Sequence, residues 1–357
     1  MWLLAGTATA DTLRIATYNT ELKRDGPGLL LRDILKDDAQ VASVVGVIAH
    51  VNPDIVLLQS FDYDLGLVAL TAFLERLRAA GADYPYLFAR APNTGIPTGA
   101  DLDRDGRLGE AEDAQGYGEF TGQGGMALLS KLPIDETATH DFAPVLWVDL
   151  PGASLPRLGG GAYFSDSVLA QLRLSSVGHW DVPVVLPDGT RLHLLAFHAS
   201  TPAFDGAESR NDLRNRDELR FWEQYLDKVP GAFVLLGDAN LDPADGDGLR
   251  SAMRTFLANP SIQDPMPQSV GATEAAISQG GVNLGQRGDP SLDTADWPDE
   301  DGWPGNLRVD YVLPSAGLRV LDAGVFWPAS SDPLRALLGE GEGRASRHAL
   351  VWADIGW

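Results

Sequence analysis

The stretch Phe233-Val-Leu-Leu-Gly-Asp-Ala-Asn-Leu241 constrains this chain most. Four apolar residues in a row read as a strand buried on both faces. Gly237 stops the run, and Asp238 and Asn240 follow with one residue between them. In an extended segment, side chains so spaced share a face. One is a hard anionic oxygen ligand; the other is a neutral amide that both donates and accepts. Such a pair at a strand exit suits holding a hydrated divalent cation and aiming a water molecule. Gly-Asp-x-Asn is equally ordinary turn chemistry. What decides between the two is whether other strands end in the same way.

They do. Leu13-Arg-Ile-Ala-Thr-Tyr-Asn19 alternates apolar and polar and stops on an amide. Asp54-Ile-Val-Leu-Leu-Gln59 is a second buried strand, running into Ser60-Phe-Asp-Tyr-Asp64. Gly125-Met-Ala-Leu-Leu-Ser130 is a third. Arg191-Leu-His-Leu-Leu-Ala-Phe197 exits on His198, with His193 on the opposite face as an exposed or partnered strand histidine. Leu307-Arg-Val-Asp-Tyr-Val-Leu313 carries Asp310 within a strand, and Ser346-Arg-His348 precedes a final strand over 349–354. Residues 168–175 and 180–186 read as strands, the second joined to 191–197 by the turn Pro187-Asp-Gly-Thr190. Helical spacing marks 38–51, 66–80, 212–226 and 249–257. His50 closes the first of these as a partner of the helix dipole. Residues 142–161 and 259–306 read as loops; Trp297 and Trp303 in the second either line a substrate mouth or pin the loop.

The chain has 357 residues and no linker or repeat, which points to one domain with long loops. Its formal net charge is −23, which argues against a broad basic groove for nucleic acid. A polyanionic substrate would have to be met by bound cations and a few local arginines. The absence of cysteine excludes disulfides and thiolate metal sites. The apolar N-terminus ends in Ala8-Thr9-Ala10, an A-x-A cleavage pattern without a basic n-region. That predicts a truncated signal peptide over 1–10 and a secreted or periplasmic protein, expected as a monomer.

One insert carries its own signal. In Asp101-Leu-Asp-Arg-Asp-Gly-Arg-Leu-Gly-Glu-Ala-Glu112, oxygen ligands fall at positions one, three, five and twelve, with glycine at six. This is the EF-hand calcium pattern, in which Arg107 would offer its backbone carbonyl at position seven. The flanks are not helix formers, so a lone Ca2+-stapled loop is expected rather than a paired sensor. Arg210, Arg214 and Arg216, shortly after His198, are either surface charge or a phosphate clamp.

Asn19, the 60–64 segment, His198, Asp238 with Asn240, Asp310 and His348 form a workable set for metal-assisted phosphoester hydrolysis. The order of the motifs Ala16-Thr-Tyr-Asn19, Asp54 to Gln59, Gly125 to Ser130, Phe197-His198, Leu236-Gly-Asp-Ala-Asn240, Arg308-Val-Asp-Tyr-Val312 and Ser346-Arg-His348 resembles the endonuclease/exonuclease/phosphatase superfamily. Its members include deoxyribonuclease-like nucleases and sphingomyelinase-like phosphoesterases. The resemblance implies a four-layered α/β sandwich with the site at one end of two packed sheets. By the same resemblance, Asn19 helps hold Mg2+ or Mn2+, His198 contacts the phosphate, and Asp238 positions or deprotonates water. Asn240 orients the phosphate, and His348 is the second histidine, with Asp310 fixing its tautomer. The pattern is broken twice. Ser60 stands where the superfamily has a glutamate ligand, with Asp62 as the expected substitute. Arg347 replaces an aspartate and becomes a phosphate-binding cation. The functional expectation is a metal-dependent phosphodiesterase, an extracellular or periplasmic nuclease first. A lipid or small-molecule phosphodiesterase or phosphatase is the alternative, and a non-catalytic binding module the third reading.

Overall fold

The structure, a computed structural model, describes residues 12–357. The expected leader lies outside the described residues. Period-two burial explains the layering. On the Thr12–Leu22 strand, Leu13 and Ile15 enter one apolar cluster, while Ala16 and Tyr18 enter another. The Ile55–Phe61 strand repeats this, with Ile55 and Leu57 on one side and Val56 and Leu58 on the other. On Phe233–Asp238, Val234 and Leu236 join the first cluster, and Phe233 and Leu235 face a third. The first cluster is therefore a slab between two sheets, and the other two lie beneath helices outside them. This is the four-layered α/β sandwich, helix–sheet–sheet–helix.

One sheet has the strand order Arg319–Phe326, Leu350–Gly356, Thr12–Leu22, Ile55–Phe61, Gly125–Ser130, Tyr86–Phe88. The other runs Asp310–Pro314, Phe233–Asp238, Arg191–His198, Gly178–Val185, His140–Asp141. Both are mostly antiparallel, with one parallel pair near the middle of each. Helices Leu29–Leu35, Ala39–Val51 and Val68–Ala79 cover the first sheet. Asp38 caps the second of them, and both oxygens of Asp64 cap the third. Helices Arg210–Leu226 and Arg250–Leu257 cover the second sheet with Leu219, Trp222, Leu226, Met253 and Phe256.

Three expectations are corrected. Residues 168–175 form no strand; a short helix, Asp166–Leu169, is followed by bends. Leu172 and Leu174 instead pack with Leu102, Trp147, Leu150, Tyr163 and Phe164 in a separate small core under the insert. Their apolarity serves irregular packing, which periodicity alone cannot distinguish from a short strand. The loop expected over 259–306 contains the helix Val270–Gln279, capped by Ser269. Its buried face is Gly271, Ala272, Ala275 and Ala276, too small to mark an apolar stripe. The strand expected over 307–313 is split, because Asn306–Leu307 pairs with Ala295–Asp296 before Asp310–Pro314 joins the large sheet.

On the helix Arg210–Leu226, Arg214 is structural. Arg214 is buried, and its guanidinium donates to the carbonyls of Leu174, Gln115, Arg173 and Ser175. It ties the insert to the helix and is not a phosphate clamp. One turn along, Glu218 accepts from the N–H and hydroxyl of both Ser176 and Ser200. Asn215 donates to the carbonyls of Ser200 and Ala239, each at 2.7 Å. The polar face of this helix thus holds the exits of two neighbouring strands. Replacing Arg214 with methionine strands four buried carbonyl oxygens and removes the positive charge nearest Glu218. The expected cost is about 3 kcal/mol or more in urea unfolding, since each buried polar group left unsatisfied costs about 1–3 kcal/mol. A loss under about 1 kcal/mol, the range of an exposed pair, would contradict the structural role.

Candidate functional site

Strand parity gathers the site. Asn19 follows Leu13 and Ile15 on the inner face of its strand, and His198 follows Leu192, Leu194 and Ala196 on its own. Asp238 follows Val234 and Leu236, while Asp310 precedes Val312. All four project between the sheets at the end where the apolar slab stops. Pairing then sets their neighbours: Asp238 lies opposite His198 on one side and Asp310 on the other. From the facing sheet, the Asn19 amide donates to Asp238 Oδ2 at 2.9 Å. Gly237 permits this packing, since a Cβ there would sit 2.0 Å from the Phe197 carbonyl oxygen.

Asp238 is fully buried. Its Oδ1 accepts from the Asn240 backbone N–H at 2.7 Å, and Asn240 takes a left-handed conformation, φ 50°. The Asn240 side chain donates to the Ala199 carbonyl at 3.0 Å, locking the two strand exits together. Burial, followed by the Asp310 charge, pushes the Asp238 carboxyl well up, against the pull of His348. His348 Nδ1 lies 2.9 Å from Asp310 Oδ2, which also accepts from the Thr294 hydroxyl at 2.8 Å. The Trp297 ring stands edge-on to His348, with centroids 5.3 Å apart. Burial disfavours the imidazolium, but the Asp310 and Asp238 charges and the Asp310 hydrogen bond outweigh it and raise His348 to about 9. His198 goes the other way, to about 3, under burial and the charges of His348 and Lys23. Its Nε2 lies 3.5 Å from Asp238 Oδ2, and its buried Nδ1 has no hydrogen-bond partner. The site thus holds one charged and one neutral histidine around a carboxylate pair.

The sequence profile of the Endonuclease/Exonuclease/phosphatase family matches residues 16–348. The chain belongs to that family. It is accordingly a hydrolase acting on phosphoester bonds. Three solved structures share the fold. An endonuclease/exonuclease/phosphatase from Beutenbergia cavernae is 20% identical, with a TM-score of 0.55, covering 97% of this chain and 71% of that one. A family protein from Leptotrichia buccalis is 15% identical, TM-score 0.53, covering 97% and 100%. TDP2 from D. rerio, complexed with a single-strand DNA product, is 13% identical, TM-score 0.50, covering 97% and 100%. No curated protein sequence matches the chain.

Family enzymes use divalent metals, and part of this site fits one. Asp238, Asp310 and His348 each offer a ligand atom within 4.8 Å of the others. Asp310 Oδ1 is buried with no partner, and two buried carboxylates face a single imidazolium. That donor set and charge suit a hard cation. Asn19 stands beside it. The corner that departs from the family pattern contributes no free carboxylate. Asp62 is buried, but Oδ1 accepts from the Gly124 N–H at 2.9 Å and Oδ2 from the Arg24 N–H at 3.0 Å. It clasps two loops and does not join the Asp238 group, so the expected substitution for the missing glutamate is corrected. Arg347 pairs with Glu21, a residue that sequence reasoning missed. Lys23, Thr294, Asn215 and Glu218 were missed as well; each is an ordinary polar residue whose role exists only through long-range contact. Arg210 donates to the Leu102 carbonyl of the insert at 3.0 Å, away from the phosphate role expected of it.

The insert keeps the EF-hand loop turn. Asp101 Oδ2 accepts from the Gly106 N–H at 3.0 Å, Asp103 Oδ1 from Asp105, and Asp105 Oδ1 from Arg107. The three aspartates form the second group of clustered carboxylates among the described residues. Glu112 lies outside that group. Asp113 closes the loop instead, accepting from the Leu102 and Gly109 N–H groups.

The His348 shift predicts a pH dependence of stability. A group raised from 6.5 unfolded to about 9 folded stabilises fully below pH 6.5, and that contribution is lost as pH rises through 9. The thermal midpoint of chelator-treated protein is therefore expected to fall between those values. His348→Asn flattens that slope; equal slopes in parent and variant would refute the assignment.

Proposed function

We propose that this family member hydrolyses phosphodiester bonds of nucleic acid, as an extracellular or periplasmic nuclease. The convergence of Asp238 with His198, Asn19 and the Asp310–His348 pair carries this reading. Asp238, with its carboxyl pushed up by burial, takes the proton of an attacking water held beside Asn240. His348 carries its proton at neutral pH and gives it to the leaving oxygen, with Asp310 fixing the ring. His198, neutral, and Asn240 hold the non-bridging oxygens. Held by Asp238 and Asp310 with Asn19 beside them, a magnesium or manganese ion would neutralise charge building on the phosphoryl group. The single-strand DNA product on the D. rerio protein of the same fold supports a nucleic-acid substrate. The A-x-A pattern at Ala8–Ala10 supports export. Trp303, about half exposed on the loop that carries Trp297, favours a second reading, a lipid phosphodiester.

Hydrolysis of plasmid DNA, RNA and bis-(p-nitrophenyl) phosphate by metal-stripped protein, with magnesium, manganese and calcium restored singly, tests the assignment. Nucleic acid is the expected preferred substrate. His198→Ala and Asp238→Ala are each expected to lower turnover by about 10²-fold or more, as loss of an acid–base group does, with folding retained. Near-parent turnover in either variant removes that residue from the mechanism.

We also propose that the loop over 101–112 binds calcium through Asp101, Asp103 and Asp105 and the carbonyl of Arg107, with Glu112 swinging in as the ion arrives. Millimolar calcium is expected to raise the thermal midpoint over chelator in the parent and not in Asp103→Asn/Asp105→Asn. An unchanged parent midpoint would end the calcium reading.

A further inference from the structure

We propose that Glu21 and Arg347 form a built-in anion clamp, in which Glu21 is a positioning residue that locks Arg347 to receive the substrate phosphate without a metal ion. The proposal rests on the phosphodiesterase reading of the site. Glu21 lies two residues beyond Asn19, at a register break between the first two parallel strands, and has φ 49°. A non-glycine residue there is held against its preference by its contacts. Those contacts are several. Oε2 accepts from the Arg347 backbone N–H at 2.7 Å and from the Ser346 hydroxyl at 3.2 Å, while Oε1 accepts from Arg347 Nε at 2.8 Å and from Nη2. With its oxygens so engaged, Glu21 does not stand as a free metal ligand.

The clasp also reaches the catalytic histidine. The Ser346 hydroxyl shares its proton between the Asn19 carbonyl, at 2.8 Å, and Glu21, and accepts from the His348 N–H at 3.0 Å. On the other side, the Asp296 N–H donates to the Arg347 carbonyl at 3.0 Å. The turn is thus pinned between both walls of the site. Arg347 Nη1 makes no hydrogen bond among the described residues, and the side chain is 46% exposed. With His348 and Arg344 it lines a cavity of about 1010 Å³ that borders the site at His348 and does not include Asp238, His198 or Asn240. A guanidinium gripped on one edge by a carboxylate presents its other edge with its orientation already fixed, the geometry that favours a phosphate oxygen. In a chain of net charge −23, a fixed cation beside His348 gives an anion somewhere to land. Where the family has an aspartate, Arg347 thus offers a guanidinium edge that its bond to Glu21 leaves unpaired.

The test measures inorganic phosphate binding to the full chain in chelator by phosphorus NMR line broadening, alongside KM for bis-(p-nitrophenyl) phosphate with metal restored. The parent is expected to bind phosphate without metal. Arg347→Ala is expected to weaken that binding about tenfold, the worth of one charge-assisted hydrogen bond, and to raise KM more than it lowers kcat. Glu21→Gln is expected to give a smaller loss of the same kind. Added guanidinium is expected to restore KM in Arg347→Ala and to do nothing for Asp238→Ala, a pattern that a merely structural clasp would not produce. Parent protein that binds no phosphate in chelator, or Arg347→Ala that binds as the parent does, overturns the clamp. Since Arg347 is half exposed, this variant decides the matter even if Glu21→Gln fails to fold. Phosphate binding as expected, with no hydrolysis of any phosphodiester, would leave the clamp standing and remove the functional reading on which it rests.

Discussion

The hydrogen bond from Asn19 to Asp238 joins the two sheets at the end where their apolar filling stops. A carboxylate without solvent is costly unless its oxygens are satisfied. Asp238 meets that cost with an amide from the facing sheet, a backbone N–H from its own turn and the charge of His348. Asn19 lies on a strand of the facing sheet, and His348 just before another strand of that sheet. The arrangement therefore exists only when both sheets are stacked in register, and a slip of one residue would turn Asp238 out of the slab.

Support for the strand exits comes from behind. Helix Arg210–Leu226 covers the second sheet with Leu219, Trp222 and Leu226, as any amphipathic helix would. It also buries Arg214, Asn215 and Glu218 beneath the segments that carry His198 and Asn240. A charged helix shortly after His198 invites an electrostatic reading. Here the charges are spent on backbone groups that a loop cannot satisfy for itself. The cations left at the site rim, Lys23 and Arg347, come from elsewhere in the chain.

Electrostatics around the carboxylate pair is asymmetric. Asp238 and Asp310 lie opposite each other in neighbouring strands; burial, then the Asp310 charge, raises Asp238, and both carboxyls raise His348 against its burial. His198 is lowered by burial and by the charges of His348 and Lys23, although its Nε2 lies 3.5 Å from Asp238. The two rings differ because Asp310 hydrogen-bonds Nδ1 of His348, while Nδ1 of His198 has no partner. That division gives the site an acid and a neutral hydrogen-bonding group at the same pH.

Much of this was legible in the chain itself. Alternation showed which residues face inward, so Asn19, His198 and Asp238 were found as strand-exit groups and Asp310 as a residue within a strand, and the order of motifs pointed to the family. The aspartate-rich loop was readable because Asp101, Asp103 and Asp105, which cluster in space, are also close in sequence. Missed were helix Val270–Gln279, whose buried face is alanine and glycine, and the roles of Asp62, Arg214 and Glu21. Asp62 lies at the right spacing for a ligand, yet two backbone N–H groups from distant loops claim its oxygens. Glu21 meets Arg347 across 326 residues of chain. Periodicity along a strand determines which side a residue faces. Which partner waits on that side is decided only when distant segments pack, because hydrogen bonds and ion pairs are made between neighbours in space.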